Sequence, residues 1–226
     1  MSTGSEQADG ESAAALEEKS QAPYRDMRME KGRAFAADHC QGRVLEIGCG
    51  NGRILRYLQD HGRACYGMDI NRHAVALCHE KGVGAEVGNA DALDQDERID
   101  RLLRGGWDTL LFVKTFVYLS RPEEIIERVN PRRVVIFQSN PLYWRRTLCE
   151  DVQNYLSLLG QPEPRDPALF LPERSPFSLA WANWFKTRGY LPTLFAARPW
   201  IRWKQPRSAW DVVLSRGLGI LFDRQG

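Results

Sequence analysis

The chain has 226 residues, 43% of them hydrophobic, with 31 basic and 29 acidic side chains and a formal charge of +2. That length supports one domain that can bury a full core without disulfides or metals, and the near balance of charge gives no footprint for a nucleic-acid or membrane-surface protein. Cys40, Cys49, Cys65, Cys78 and Cys149 are odd in number and hold no Cys-x-x-Cys pair, which argues against a disulfide framework or zinc site and fits a reducing cytoplasm.

Residues 1–21 are mostly Ser, Glu, Ala and Gly, with Leu16 almost the only large apolar group, and predict a disordered acidic tail. It lacks the basic flank and apolar stretch of a secretory signal, and no later run reaches the roughly 20 apolar residues of a membrane helix. A soluble cytoplasmic protein is therefore expected, with one domain over 22–226. Tyr24, Met27, Lys31 and Phe35 fall along one side of a predicted helix ending near His39, with Gly32 as its weak point.

Short apolar runs then alternate with amphipathic segments. Residues 43–47 predict a strand, 53–61 a helix, 65–68 a strand, 72–81 a helix, and 85–87 a strand. Residues 107–113 follow as a buried strand, then a helix begun by Ser120 with Pro122 in its first turn, then a strand at 134–138. Strand and helix in repeated succession indicate a parallel α/β sheet. In Ser-x-Pro-Glu-Glu the serine can accept a backbone N–H, and the carboxylates meet the positive helix end.

Beyond Thr147 the rhythm changes. A helix to about Leu159, a Pro-rich connector over 161–176 and a helix opened by Ser175-Pro176 and closed by Gly189 make 147–189 a helical, Pro-rich insertion or lid. Two strand-like runs, 191–197 and 209–215, flank a Trp- and Arg-rich loop and complete seven predicted strands.

The segment Val44-Leu45-Glu46-Ile47-Gly48-Cys49-Gly50-Asn51-Gly52-Arg53 follows a strand and precedes a helix, where doubly wound folds bind nucleotides. Its glycines let a ligand approach the backbone where a Cβ would collide. A dinucleotide fingerprint, Gly-x-Gly-x-x-Gly, would place the third glycine one residue later. Acidic-x-Gly-x-Gly-x-Gly instead resembles the class I methyltransferases dependent on S-adenosylmethionine (SAM), a likeness that runs from about Tyr24 to the final hairpin.

Two further segments resemble that family. Tyr66-Gly67-Met68-Asp69-Ile70 ends the next strand on a carboxylate, a bidentate acceptor matched to a ribose diol; the alternative is that Asp69 caps the helix at Arg72. Gly88-Asn89-Ala90-Asp91-Ala92-Leu93 is similar to the stretch where an aspartate takes the adenine amino group, which would be Asp91, with Ala92 and Leu93 beside the base; a plain polar turn is the alternative. The resemblance implies an α/β, Rossmann-like doubly wound fold, with a mostly parallel seven-stranded sheet and a C-terminal antiparallel hairpin. It implies SAM as cofactor, with S-adenosylhomocysteine (SAH) as product, held by Tyr24, Glu46, Gly48, Cys49, Gly50, Asp69, Ile70, Asp91, Ala92, Leu93 and Lys114.

A closer resemblance lies in Val75-x-x-Cys78-x-x-Lys81-Gly82-Val83, in Lys114-Thr115-Phe116-Val117-Tyr118-Leu119-x-x-Pro122-Glu123, and in Val135-Ile136-Phe137-Gln138-Ser139-Asn140-Pro141 with Trp144 and Arg146 following. These segments are similar to the methionine biosynthesis MetW family, which is methyltransferase-like in fold and associated with homoserine O-acetylation beside an acetyltransferase. The chain departs from the pattern at Asn140-Pro141, where Pro then Asn is expected, and at Lys114, where an uncharged polar residue is usual. It also departs in 161–176 and in its Trp-rich end.

Methyl transfer from a sulfonium is an in-line displacement, so the protein mainly holds acceptor and methyl in line and adds a base only where the acceptor keeps its proton. The resemblance puts the ends of the fourth and fifth strands beside the methyl. Tyr118 and Asn140 are the expected catalytic contacts and Thr115, Phe116, Tyr143 and Trp144 the expected substrate contacts, with ordinary packing as the alternative for the aromatics. Trp144, Trp181, Trp184, Trp200, Trp203 and Trp210 could wall an acceptor or fill core and interface. Arg198, Arg202, Lys204 and Arg207, interleaved with Trp200 and Trp203, suit base stacking and phosphate contact or a solvated hairpin loop. His39, His61, His73 and His79 converge on no ligand set, and no metal is expected.

The expected function is SAM-dependent methyl transfer to a small-molecule acceptor of biosynthesis or metabolism. The alternative is a non-catalytic, SAM-binding partner subunit of an acyltransferase; RNA methylation ranks last. The expected partners are the acceptor itself and either a second copy of the chain or an acyltransferase.

Overall fold

A computed structural model describes residues 30–139, 176–177, 179–198, 201–204 and 217–225. The apolar runs of the first half become parallel strands: β1 (Val44–Ile47), β2 (Cys65–Asp69), β3 (Ala85–Val87), β4 (Thr109–Val113) and β5 (Arg133–Ser139). The helices between them are α1 (Glu30–His39), α2 (Arg53–Asp60), α3 (Arg72–Glu80), α4 (Glu97–Leu103) and α5 (Pro122–Val129), with a 3₁₀ turn over Phe116–Tyr118. Helix α6 (Leu179–Thr187) leads into β6 (Tyr190–Arg198), β7 (Ile201–Lys204) and β8 (Gly217–Arg224). The sheet order is β3-β2-β1-β4-β5-β8-β6-β7, with β8 antiparallel to both β5 and β6.

Both faces of the sheet are covered, so the central strands β1 and β4 are buried throughout and apolar but for Glu46 and Thr109. Leu45, Ile47, Leu110, Phe112 and Ile136 point into one buried cluster, shared with Ile125 and Ile126 of α5 and Phe185 of α6. Val44, Leu111, Val113, Val135 and Phe137 point into the other, shared with Phe35 of α1 and Ile54 and Leu58 of α2. Phe185 stacks on Phe222 at 3.5 Å between centroids, and this contact seats α6 on the antiparallel end of the sheet.

The expected architecture is present, with local differences. The described residues hold eight strands, because the Trp- and Arg-rich loop contributes the short edge strand β7, paired with β6. The strand beside β5 is Gly217–Arg224, later than the run at 209–215, which lies outside the described residues. Helix α4 was not anticipated; Asp96 accepts the Arg98 amide at its start, and Ile99 and Leu103 are buried beneath it. Helix α6 begins at Leu179, and Gly189 follows its end with φ +79°. Ser120 provides no side-chain cap for α5, whose first residue is Pro122. The expected tail, most of the 147–189 insertion and the 209–215 run lie outside the described residues. Among the described residues no helix is long and apolar enough to cross a membrane.

Candidate cofactor cleft

Strand order reverses between β1 and β4, so the connections leaving these two strands run to opposite sides and open a crevice at their carboxyl ends. A cleft of about 490 Å³ occupies that point. Its walls are the glycine loop after β1, the end of β2, the turn at Gly88–Asp91, and the stretch from Val113 to Leu119 after β4.

The glycine loop is held from two sides. Gly48 has φ +72°, and a Cβ there would fall 2.2 Å from Thr115 Oγ1, so only glycine lets β1 end against β4 in this way. The Gly50 amide donates to Asp69 Oδ2 at 2.7 Å, and the Asn71 amide donates to Asp69 Oδ1 at 2.9 Å. Asp69 therefore braces the loop instead of capping α3. That cap is Asn71, whose Oδ1 accepts the Ala74 amide at 3.0 Å. Burial raises the Asp69 carboxyl above its usual range, while the Asn71 and Gly50 amides pull it back.

Glu46 is 1% exposed, and among the described residues its Oε2 has no hydrogen-bond partner. Burial, followed by the nearby Cys78 and Asp69, pushes its carboxyl well above the ordinary value. A buried acceptor that none of the described residues satisfies, on the wall of a cleft, is placed to meet a ligand's donor. An adenosyl amino acid would bring an ammonium and a ribose diol. The acceptors present fit it: Glu46 can answer the ammonium, Asp69 keeps lone pairs for hydroxyls, and the glycine backbone leaves room for both.

The expected residues separate in space. Glu46, Gly48, Cys49, Gly50, Asp69, Ile70, Asp91 and Lys114 all line the cleft. Ala92 and Leu93 are not on its wall, and Leu93 is a core residue at 1% exposure. The Asp91 carboxylate turns away toward α5, accepting the amides of Ser120 at 2.9 Å and Arg121 at 3.1 Å. Asn89 lies on the wall between Gly88 and Ala90, and its Oδ1 accepts the Asp91 amide at 3.0 Å. An asparagine so placed is equally suited to forming a turn, so the sequence alone does not single it out.

On the far side, Lys114 adopts φ +59°, which costs a non-glycine residue roughly 1–2 kcal/mol. Its amide donates to Phe137 O at 2.7 Å, which fixes the direction of the chain leaving β4. Thr115 and Tyr118 line the cleft, and Tyr118 is 44% exposed. Phe116, expected at the substrate, is 1% exposed and packs edge-on against Phe112 and Trp181 in the core. The 3₁₀ turn sends Phe116 inward and Tyr118 outward. Trp181 and Trp184 likewise pack against the core. Tyr24, Asn140, Tyr143 and Trp144 lie outside the described residues. Among the described residues, no group of three or more His, Cys, Asp or Glu side chains is placed to hold a metal ion.

Solved structures similar to this one carry the same fold. A SAM-dependent methyltransferase of Thermotoga maritima, described as a possible histamine N-methyltransferase, matches with TM-score 0.55 and 15% identity over 97% of this chain and 96% of its own. A SAM-dependent methyltransferase of Archaeoglobus fulgidus matches with TM-score 0.53 and 16% identity over 94% and 99%. The plantazolicin methyltransferase BpumL, solved in complex with SAH, matches with TM-score 0.52 and 15% identity over 98% and 92%. At such identities the likeness is one of fold: this chain has the fold of the SAM-dependent methyltransferases. Among curated proteins, none matches the sequence. Residues 38–151, which carry β1 to β5 and every described wall of the cleft, match the family described as "Methionine biosynthesis protein MetW", and the chain belongs to that family.

Proposed function

We propose that this chain is a SAM-dependent methyltransferase acting on a small-molecule acceptor. The observation that carries the reading is the unpartnered Oε2 of buried Glu46, on the cleft wall beside an Asp69 already fixed by two amides. SAM, when bound, supplies a methyl on a sulfonium, open to in-line attack. Glu46 answers the ammonium, Asp69 the ribose hydroxyls, and the Gly88–Asp91 turn flanks the adenine, with Ile70 packed beside the ring and Lys114 closing the methyl end. Tyr118 and Asn140 take the acceptor side, together with Thr115, Tyr143 and Trp144. Their task is to hold the acceptor in line, since positioning supplies most of the rate in such a displacement. Calorimetric titration with SAH tests the cofactor half, and absence of heat at saturating protein would end the proposal. Incubation with SAM labelled at its methyl, across pools of small metabolites, tests the transfer half.

Membership of the MetW family favours a second reading, a SAM-binding partner subunit of an acyltransferase. It predicts SAH binding without consumption of SAM, and co-purification of an acyltransferase with the full chain.

A further inference from the structure

Two thiols meet behind the glycine loop. Cys49 lies within the loop and lines the cleft; Cys78 lies on α3 and is 0% exposed. Both sulfurs approach one carbonyl oxygen, that of Gly50, Cys78 Sγ at 3.1 Å and Cys49 Sγ at 3.7 Å. Glycines stand opposite both: a Cβ at Gly67 would fall 2.6 Å from Cys49 Sγ, and one at Gly52 would fall 2.8 Å from Cys78 Sγ. The pair has its space because two neighbouring positions carry no side chain.

The surroundings divide the two thiols. The neighbouring Cys49, helped by the Lys81 ammonium, lowers the Cys78 thiol against the opposing effect of burial, while Cys78 and burial raise Cys49. Lys81 is itself tied to the loop, its Nζ donating to Asn51 O at 2.8 Å. Two thiols on one carbonyl oxygen, one of them on a cleft wall and the other eased toward ionisation, form an arrangement suited to selective oxidation.

We propose that Cys49 and Cys78 are a hydroperoxide-sensitive thiol pair whose disulfide shuts the cofactor cleft. One sulfur attacks a peroxide oxygen; the O–O bond breaks, and the alcohol leaves carrying the thiol proton. The other sulfur then attacks the sulfenic acid; the S–O bond breaks, and water leaves with the second thiol proton. Two thiols and one hydroperoxide become one disulfide, one alcohol and one water. Drawing Cys49 toward Cys78 moves the peptide between Cys49 and Gly50, and with it the amide that Gly50 donates to Asp69. A ligand in the cleft covers Cys49 and protects the pair. The blocking effect rests on the cofactor reading of this cleft; formation of the disulfide does not.

The test uses the full chain, reduced, then treated with hydrogen peroxide, with SAH affinity and non-reduced peptide masses both recorded. The expected results are a peptide linking Cys49 to Cys78, a loss of SAH affinity of about tenfold or more, recovery with dithiothreitol, and protection by prior SAH. Cys78→Ser keeps a donor for Gly50 O and should bind SAH yet ignore peroxide; Cys78→Ala serves if the serine variant misfolds. The proposal is overturned if no Cys49–Cys78 peptide forms, if Cys65 is the linked partner, or if Cys78→Ser loses affinity as fully as wild type. If the reduced protein does not bind SAH, the cofactor reading and the blocking effect fall together, and the linked peptide alone decides whether the pair is reactive.

Discussion

Asp91 anchors the entrance to a helix that belongs to another part of the chain: its carboxylate accepts the Ser120 amide at 2.9 Å and the Arg121 amide at 3.1 Å, the two residues ahead of α5. The turn after β3 is thereby joined to the segment that carries Tyr118. Asp91→Ala leaves both amides without their acceptor and should cost roughly 1–3 kcal/mol, the usual range for a hydrogen bond to a charged group. Asp91→Asn keeps one oxygen and should cost less. Urea unfolding followed by circular dichroism checks both, and an unchanged midpoint in the alanine variant would contradict the anchoring role.

Glu46 is expected to trade stability for binding. Burial raises its carboxyl in the folded protein, so between the ordinary carboxylate range and that raised value the unfolded chain has released a proton that the folded chain retains. Stability therefore falls as pH rises through this window. Glu46→Gln removes the dependence and should match or exceed wild-type stability at neutral pH, by on the order of 1 kcal/mol. It should also weaken SAH binding. Urea midpoints measured across pH, beside SAH titrations, read both effects.

Asp69→Asn keeps one acceptor oxygen and turns an NH₂ toward an amide that formerly donated to Asp69. Losing a charge-assisted bond at a buried site should weaken SAH binding by roughly 10- to 100-fold, about 1.5–3 kcal/mol. Equal affinities by calorimetry would remove Asp69 from the ribose role.

Gly48→Ala meets Thr115 at 2.2 Å and must hold φ +72°. The combined clash and backbone strain should cost about 2–4 kcal/mol, visible as a lowered melting temperature, with SAH binding lost. Thr115→Gly opens the space opposite, so the double variant should recover part of the melting temperature. No recovery would place the whole effect in the backbone.

The parallel half of the fold was legible because its signals are local: apolar runs of strand length, each bounded by glycine or polar residues. Glu46, Gly48, Gly50 and Asp69 were legible as a group for the same reason, since they sit in two successive strands, β1 and β2, and the loop between β1 and α2, and the pairing of those strands brings them to one cleft. What escaped depended on distant partners. Ser120-x-Pro122 reads as a self-capped helix start, yet the Ser120 side chain caps nothing and its amide is held by Asp91, 29 residues away. Phe116 and Tyr118 are both aromatic, and only the 3₁₀ turn decides which faces the core. The run Gly217–Arg224 contains two glycines that weaken its strand character, and its place in the sheet comes from pairing β5 on one side and β6 on the other.

Phe35 of α1 lies against Gly219 of β8, where a Cβ would fall 2.2 Å from the ring. Because β8 runs between β5 and β6, the latest of the described strands to leave the ribosome is an interior one. Until it arrives, one edge of β5 stays open and Phe35 lacks this neighbour, because the strand that fills the place begins 78 positions after β5 ends. The order of synthesis thus runs against the order of strands in the sheet: a nascent chain holding all of residues 38–151 would still expose an unpaired sheet edge.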